Sequence, residues 1–219
     1  MIQAVLFDLD GTLWDRDEAF RALVDTQHRT FPELAAFPRE RYVGRVVELD
    51  DHGVGEKGAA YAQVVSEFGL RPALAPILFD HFVTTYASFF DPFPEVLPTL
   101  RSLRDQGLKL GIITNGSIGA QEPKIQRLGL APLMDAVLIS EREGVRKPDK
   151  AIFDRALARL GVDAASAWFV GDHPDADIRG ASEAGLTAVW RQSWGEAVYA
   201  THTITALDEL IPLLTAEGV

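Results

Sequence analysis

Short apolar runs recur along the chain, and each is followed directly by polar residues. The runs are three to five residues long, and short apolar runs without alternation are typical of parallel strands buried on both faces of a sheet. Amphipathic stretches separate them, the clearest at Asp149–Leu160, where the apolar positions form one helical stripe and Gly161 provides a stop. This alternation predicts an α/β fold with a doubly wound parallel sheet. The predicted strands lie at Ala4–Phe7, Lys109–Ile113, Ala136–Ile139, Trp168–Val170 and Thr187–Trp190.

Residues 15–93 follow a different pattern. Apolar side chains recur there at helical spacing, around Phe20, Tyr42, Tyr61 and Leu74, and no buried-strand run interrupts them. We predict an all-helical subdomain of residues 15–93, inserted into an α/β core formed by residues 1–14 and 94–219. A last strand and an amphipathic helix are expected after residue 200.

Composition narrows the class of protein. The 219 residues include 21 Lys and Arg against 32 Asp and Glu, a net charge of −11, and no cysteine. A disulfide framework, a thiolate metal site and a cysteine nucleophile are excluded. The acidic excess argues against a nucleic-acid partner, which would require neutralising phosphates with Lys and Arg. No apolar run is long enough to span a bilayer and no basic leader precedes the first strand, so we expect no membrane partner and a cytoplasmic location.

Candidate chemistry lies where the predicted strands end, because doubly wound sheets bind ligands beyond the carboxyl ends of their strands. Asp8 and Asp10 are two residues apart, so in an extended chain their carboxylates point to one side. Such a pair can hold a divalent cation through oxygen, or divide the roles of nucleophile and proton carrier. Gly11 permits a sharp turn. A structural Asp-Gly turn is the alternative.

The other strand ends carry complementary groups. Thr114–Gly116 offers a hydroxyl, an amide and a free backbone N–H, which suit an anion cradle or a helix cap. Lys147 can reach a phosphate or a carboxylate, or remain solvated. Asp172 can complete a metal shell or cap the following helix, a role also open to Asp175 and Asp177. Together these groups match the requirements of phosphoryl transfer through an aspartyl phosphate.

These segments, in this order, resemble four motifs of the haloacid dehalogenase superfamily of hydrolases. Asp8–Leu13 (DLDGTL) resembles the first motif, Thr114–Gly116 the second, Lys147–Pro148 the third and Gly171–Asp177 (GDHPDAD) the fourth. The resemblance covers the whole chain, and residues 15–93 correspond to the helical cap that the family inserts after its first motif.

Residue by residue, the resemblance implies that Asp8 is the nucleophile and Asp10 the general acid/base. Thr114 would bind the phosphoryl group, helped by the backbone N–H of Asn115, and Gly116 would also belong to the substrate-binding residues.

The same resemblance implies a Mg²⁺ cofactor, held by the Asp8 carboxylate, the Asp10 backbone carbonyl and the Asp172 carboxylate. Lys147 would neutralise the charge of Asp8 and the phosphate. Asp177 would orient Lys147 or a metal-bound water, although the nearby Asp175 leaves the choice of outer carboxylate open.

The leading hypothesis is therefore a Mg²⁺-dependent phosphatase acting on a small phosphorylated metabolite. Sugar phosphates, nucleoside monophosphates and phosphoglycolate all remain open, as does a monomeric or homodimeric state. Asp10 argues against a haloacid dehalogenase, because the matching residue in those enzymes is not acidic and no metal is needed. A phosphomutase of the same family remains open. A receiver module would place its phosphorylated Asp after a later strand and carry no cap, and a capped relative that only binds ligands would not need the full set of polar residues.

Within the cap, a glycine-rich charged loop, residues 50–58, holds His52 and Lys57, with Arg45 shortly before it. These side chains are candidates for contact with the substrate's leaving group, and a solvated loop is the alternative. Trp14 is a candidate for the cap entrance or for the core.

Overall fold

The computed structural model describes residues 1–53, 55–192 and 195–218. Two compact units divide the chain: Met1–Asp15 with Asp91–Val219 form the core unit, and Arg16–Phe90 form the helical unit. The predicted boundaries lie one residue and three residues from these. No helix in the described ranges is both long and apolar enough to cross a membrane.

The core unit contains a six-stranded sheet in its described residues, and every pair of neighbouring strands is parallel. The strands are β1 Ala4–Phe7, β2 Lys109–Thr114, β3 Ala136–Ile139, β4 Ala167–Gly171, β5 Thr187–Arg191 and β6 His202–Ile204. Their order in the sheet is β3-β2-β1-β4-β5-β6, so the chain builds the sheet outward from β1 in both directions. This is the doubly wound α/β architecture that the apolar runs predict.

The strand register brings the polar segments to one edge. Phe7, the last residue of β1, pairs with Ile112 of β2 on one side and Val170 of β4 on the other. The residues that follow these three strands therefore leave the sheet at neighbouring positions. Since the strands are parallel, the carboxyl ends of β1, β2 and β4 form a single site-bearing edge.

The helical unit is built from four α-helices in its described residues, with short 3₁₀ turns between them. Their apolar faces enclose a separate core in which Phe20, Tyr42 and Tyr61 are fully buried. Buried Gln27 is satisfied there, because its amide donates to the Leu78 carbonyl at 2.8 Å and accepts from the Tyr61 hydroxyl at 3.1 Å. The helices are α1 Arg16–Thr30, α2 Arg39–Asp50, α3 Lys57–Glu67 and α4 Leu74–Thr85.

The remaining α-helices belong to the core unit. They are α5 Val96–Asp105, α6 Ile118–Arg127, α7 Ser140–Glu143, α8 Lys150–Leu160, α9 Gly180–Ala184 and α10 Leu210–Ala216. In α8 the Asp149 carboxylate caps the first turn by accepting from the Ala151 amide at 2.9 Å, and Gly161 ends the helix with φ 64°. The apolar stripe of α8 packs against the sheet.

The segment before α9 is a π-helical turn, Pro174–Arg179, and its cap differs from expectation. The His173 ring accepts from the backbone amides of Asp175 and Ala176, each at 3.2 Å. The expectation that Asp172, Asp175 or Asp177 supplies this cap is therefore wrong. A neutral imidazole nitrogen takes the acceptor role, which leaves the carboxylates available for other contacts.

The two chain segments that lead into and out of the helical unit are joined to each other within the core unit. Trp14 and Pro92 form an isolated antiparallel bridge. Arg191, at the end of β5, donates to the Thr12 carbonyl at 2.8 Å and to Glu95 at 2.9 Å. One buried guanidinium therefore binds both segments.

Candidate active site

A buried ammonium lies between two buried carboxylates at the carboxyl edge of the sheet. Lys147 Nζ donates to Asp8 Oδ1 at 2.5 Å and to Asp177 Oδ1 at 2.6 Å. Carboxylate oxygens of Asp8, Asp172 and Asp177 all lie within 4.8 Å of one another. These three residues are called the carboxylate cluster below. The structure thus brings together the first, third and fourth predicted motifs.

Two glycines allow the cluster to be this compact. Gly11 has φ +82°, and a Cβ at that position would lie 2.8 Å from Asp172 Cγ. A Cβ on Gly171 would lie 2.5 Å from Asp177 Cγ. Both distances are below ordinary van der Waals contact, so a side chain at either position would displace a carboxylate.

The electrostatics of the cluster are unbalanced. If ionised, three carboxylates face one ammonium, an excess of two negative charges. Burial raises the pKa of Asp8 from 3.8 to about 7; attraction to Lys147 opposes this shift and repulsion by Asp177 adds to it. Burial, followed by repulsion from Asp8, raises the pKa of Asp172 well above its usual value.

Lys147 stays charged in this environment. Its burial disfavours the ammonium, but attraction to Asp177 and Asp8 outweighs that effect and raises the pKa of Lys147 above its ordinary value. One positive charge is therefore fixed beside Asp8 at any physiological pH.

This donor set fits a hard divalent cation. Its oxygens are carboxylates, the ligand type that Mg²⁺ and Ca²⁺ select, and its uncompensated negative charge is what a cation would neutralise. A second positive charge in the cluster would also favour the ionised forms of Asp8 and Asp172.

Asn115 fixes the backbone that carries Lys147. Its side-chain amide donates to the Lys147 carbonyl and accepts from the Lys147 amide, both at 3.0 Å. The peptide bond between Lys147 and Pro148 is cis. The family resemblance implies a backbone role for Asn115 toward the substrate and gives no sign of this reciprocal side-chain pair, which joins the second and third motifs.

The backbone N–H of Gly116 is not free in this structure, because it donates to Ser140 Oγ at 3.0 Å. The assignment of Gly116 to substrate binding stays a prediction. Thr114, at the end of β2, is buried, and its hydroxyl accepts a hydrogen bond from Gln121 at 2.6 Å.

Asp10 has partners that the sequence argument did not identify. Its Oδ1 accepts from the Trp14 indole at 2.9 Å and from Lys124 Nζ at 2.5 Å, while its Oδ2 accepts from Gln121 at 2.8 Å. Trp14 is fully buried beside Asp10 in the core unit. Gln121 and Lys124 were missed, although their spacing of three on the helix after Thr114 is the signal that places them on one face.

Asp175 and Asp177, the two later carboxylates of the fourth motif, have different surroundings. Asp177 is buried against Lys147, and its Oδ2 also accepts from the His173 amide at 3.0 Å. Asp175 is exposed and pairs with Arg179 at 2.6 Å, a hydrogen bond that lowers the pKa of Asp175.

The three cap candidates have carboxylate partners within the helical unit. Arg45 pairs with Glu67 at 2.7 Å, and His52 pairs with Asp17 at 2.5 Å. Lys57 pairs with Asp50, which is buried. Val54, inside the same charged loop, lies outside the described residues.

Comparison with known proteins agrees with this architecture. Residues 2–185 match the haloacid dehalogenase-like hydrolase family. The glyceraldehyde 3-phosphate phosphatase of Methanopyrus kandleri is 36% identical over 199 residues, which cover 86% of this chain and 83% of that protein. The ribulose-1,5-bisphosphate 5-phosphatase of Halopiger xanaduensis is 34% identical over 206 residues, covering 86% and 84%. A crystal structure of a 2-haloacid dehalogenase from Pseudomonas syringae superposes over the whole of both chains with a TM-score of 0.63 and 31% identity.

The parallel sheet and its cluster of carboxylates and lysine define a hydrolase of the doubly wound α/β class. The chain belongs to the haloacid dehalogenase-like hydrolases.

Proposed function

We propose that this protein is a Mg²⁺-dependent phosphatase that hydrolyses a small phosphorylated metabolite through an aspartyl phosphate on Asp8. The observation that carries the proposal is the Lys147 ammonium fixed against Asp8, with an acidic residue, Asp10, two positions along the chain. The phosphatase names of the sequence relatives support the same activity.

The Asp8 and Asp172 carboxylates and the backbone carbonyl of Asp10 would hold the Mg²⁺ ion. When bound, the ion supplies positive charge that keeps the carboxylates ionised and offsets the charge of a phosphate group. Asp177 accepts a second hydrogen bond from Lys147 Nζ and so helps to hold the ammonium beside Asp8.

The reaction then follows from charge and position. In the first step an oxygen of Asp8 forms a bond to phosphorus, the bond from phosphorus to the leaving oxygen breaks, and Asp10 gives that oxygen a proton. In the second step Asp10 takes a proton from water, whose oxygen attacks phosphorus and releases Asp8. Lys147 reduces the repulsion between Asp8 and the incoming phosphate, and the Thr114 hydroxyl binds a phosphoryl oxygen.

Three-carbon to five-carbon sugar phosphates are the proposed substrate class, because two of the sequence relatives are named for glyceraldehyde 3-phosphate and ribulose 1,5-bisphosphate. The test is release of inorganic phosphate from a panel containing these compounds, phosphoglycolate and a nucleoside monophosphate, with Mg²⁺ and with EDTA. We expect multiple turnovers that require Mg²⁺, and a loss of turnover in Asp8→Asn. The matched control is Asp105→Asn, which makes the same chemical change at an exposed position of α5. Full activity in Asp8→Asn would contradict the assignment of the nucleophile.

Dehalogenase chemistry is the second candidate, favoured by the structural similarity to a 2-haloacid dehalogenase. The two reactions differ in the atom that water attacks. With enzyme in excess in ¹⁸O-labelled water, a phosphatase places the label in phosphate and leaves the Asp8 peptide at its unlabelled mass. Label in the Asp8 carboxylate would instead indicate hydrolysis of an alkyl ester and would overturn the proposal.

A further inference from the structure

Two buried polar side chains of α6 connect the first motif to the second. Gln121 and Lys124 are both buried and lie three residues apart, so they share one face of the helix. A lysine on a helix face is ordinarily solvated, and its burial here requires partners. Those partners are the Asp10 carboxylate at 2.5 Å and the Gln121 carbonyl oxygen at 2.7 Å.

Lys124 determines how the Gln121 amide is oriented. An ammonium can only donate, so it selects the carbonyl oxygen of Gln121 and directs the amide nitrogen the other way. That nitrogen lies 2.6 Å from Thr114 Oγ1, 2.8 Å from Asp10 Oδ2 and 3.2 Å from the Asn115 carbonyl oxygen. The amide has two hydrogens, and the two shorter distances assign them to the hydroxyl and the carboxylate.

This arrangement has a consequence for each acceptor. Since the Thr114 oxygen accepts from Gln121, the hydrogen of its hydroxyl is left to donate to a phosphoryl oxygen. Asp10 has a donor on each oxygen, because Lys124 and Trp14 contact Oδ1 and Gln121 contacts Oδ2. The carboxylate is therefore held in one rotamer.

We propose that Gln121 and Lys124 are positioning residues that fix Asp10 and Thr114 relative to each other. The proton donor and the phosphoryl-binding hydroxyl are then both correctly placed for the same bound substrate. This inference rests on the proposed phosphatase function. In the proposed reaction neither Gln121 nor Lys124 touches the reacting atoms. Both act through Asp10 and Thr114. Gly116 belongs to the same arrangement, since a Cβ there would lie 3.0 Å from Gln121 Cγ and would push the amide away.

The leaving group provides a readout that a purely structural role would not move. An alkoxide is a poor leaving group and needs the proton from Asp10, whereas p-nitrophenolate leaves readily without one. A misplaced Asp10 should therefore slow the first step much more for glycerol 3-phosphate than for p-nitrophenyl phosphate. The two rates are measured in single turnovers with enzyme in excess, on the same preparation of the full chain with Mg²⁺. Their ratio is independent of the fraction of folded protein.

We expect Lys124→Met and Gln121→Met to lower the ratio of alkyl to aryl rates by roughly tenfold or more, and by no more than the roughly 10²–10⁴-fold that a positioned general acid contributes. Lys124→Arg keeps a donor cation and should recover most of the ratio. Arg127→Met, which removes an exposed cation from the same helix, is the control and should leave the ratio unchanged.

The outcomes separate this inference from the proposed function. Suppose that the wild-type protein releases phosphate and that Asp8→Asn does not. If Lys124→Met and Gln121→Met then keep the wild-type ratio of rates, or slow both substrates equally, only the positioning role is overturned. If the wild-type protein does not turn over any phosphomonoester, or Asp8→Asn remains active, the proposed function is overturned and the positioning role with it.

Discussion

Replacing Lys147 by methionine should destabilise the metal-free protein, and the loss should grow with pH. The substitution keeps an unbranched apolar stem but removes the only ammonium that the described structure places within hydrogen-bonding distance of Asp8 and Asp177. Both carboxylates are buried, so water cannot replace the lost charge.

The magnitude follows from the burial. Removing one partner of a buried ion pair costs about 3–5 kcal/mol, because an uncompensated charge remains inside the protein. Asp8 can reduce this cost by binding a proton. Burial already raises the pKa of Asp8 to about 7, and loss of Lys147 removes the attraction that opposes this shift. A carboxyl group whose folded-state pKa lies above its unfolded value of 3.8 stabilises the fold at low pH, and that contribution is lost as pH rises through the folded pKa. The cost should therefore be near its full value at pH 8 and smaller at pH 5.

The assay is urea unfolding in EDTA at pH 5 and pH 8, followed by circular dichroism. Lys150→Met is the matched control, because Lys150 is exposed and its pair with Asp154 lies on the surface of α8. Exposed pairs of this kind contribute less than about 1 kcal/mol. A loss at pH 8 no larger than that of Lys150→Met, or equal losses at the two pH values, would refute the electrostatic account of the cluster.

Three further outcomes are expected. Gly11→Ala should lower the free energy of unfolding by about 1–3 kcal/mol, because φ +82° disfavours a side chain. It should also weaken Mg²⁺ binding measured by calorimetry, because the new Cβ crowds the carboxylate cluster. The control Gly119→Ala, at an open position of α6, should have neither effect. Asn115→Ala should lower kcat/KM by roughly tenfold or more, since both hydrogen bonds that hold the Lys147 backbone are lost. An unchanged kcat/KM would show that these two hydrogen bonds have no catalytic importance. The stability that protonated Asp8 contributes to the metal-free protein should be lost as pH rises through about 7. Mg²⁺ should therefore raise Tm more at pH 7.5 than at pH 5, and an equal rise at both values would contradict the raised pKa of Asp8.

The strands and the edge that carries the site could be predicted because the signals are local. Each buried strand is a continuous apolar run, and parallel topology then forces the residues after β1, β2 and β4 to one edge. Asp8, Thr114 and Asp172 are found at that edge for this reason. The predicted strands differ from the observed ones by no more than a residue at either end.

The contacts that orient these groups could not be predicted in the same way, because they depend on side chains far apart in sequence. Asn115 and Lys147 are separated by 32 residues, and Lys124 and Asp10 by 114. Lysines on helices are ordinarily solvated, but Lys124 is buried where it contacts Asp10 and the Trp14 ring of the first-motif turn. The helix cap at His173 is a similar case. Aspartate is favoured as an N-cap, but Asp177 accepts from the distant Lys147 and the His173 ring caps the helix instead.

The joined segments at Trp14 and Pro92 bear on how such a protein can evolve. The 75-residue insertion Arg16–Phe90 begins and ends next to the Trp14–Pro92 bridge. Arg191 of the core unit binds the chain segments on both sides of the insertion. Closing a chain of that length costs about 4 kcal/mol of entropy, and doubling its length adds only about 0.6 kcal/mol. Exchange of the insertion for one of another size therefore leaves the core nearly unaffected in stability. Selection can replace or redesign this module by recombination while the sheet and its carboxylates remain as they are.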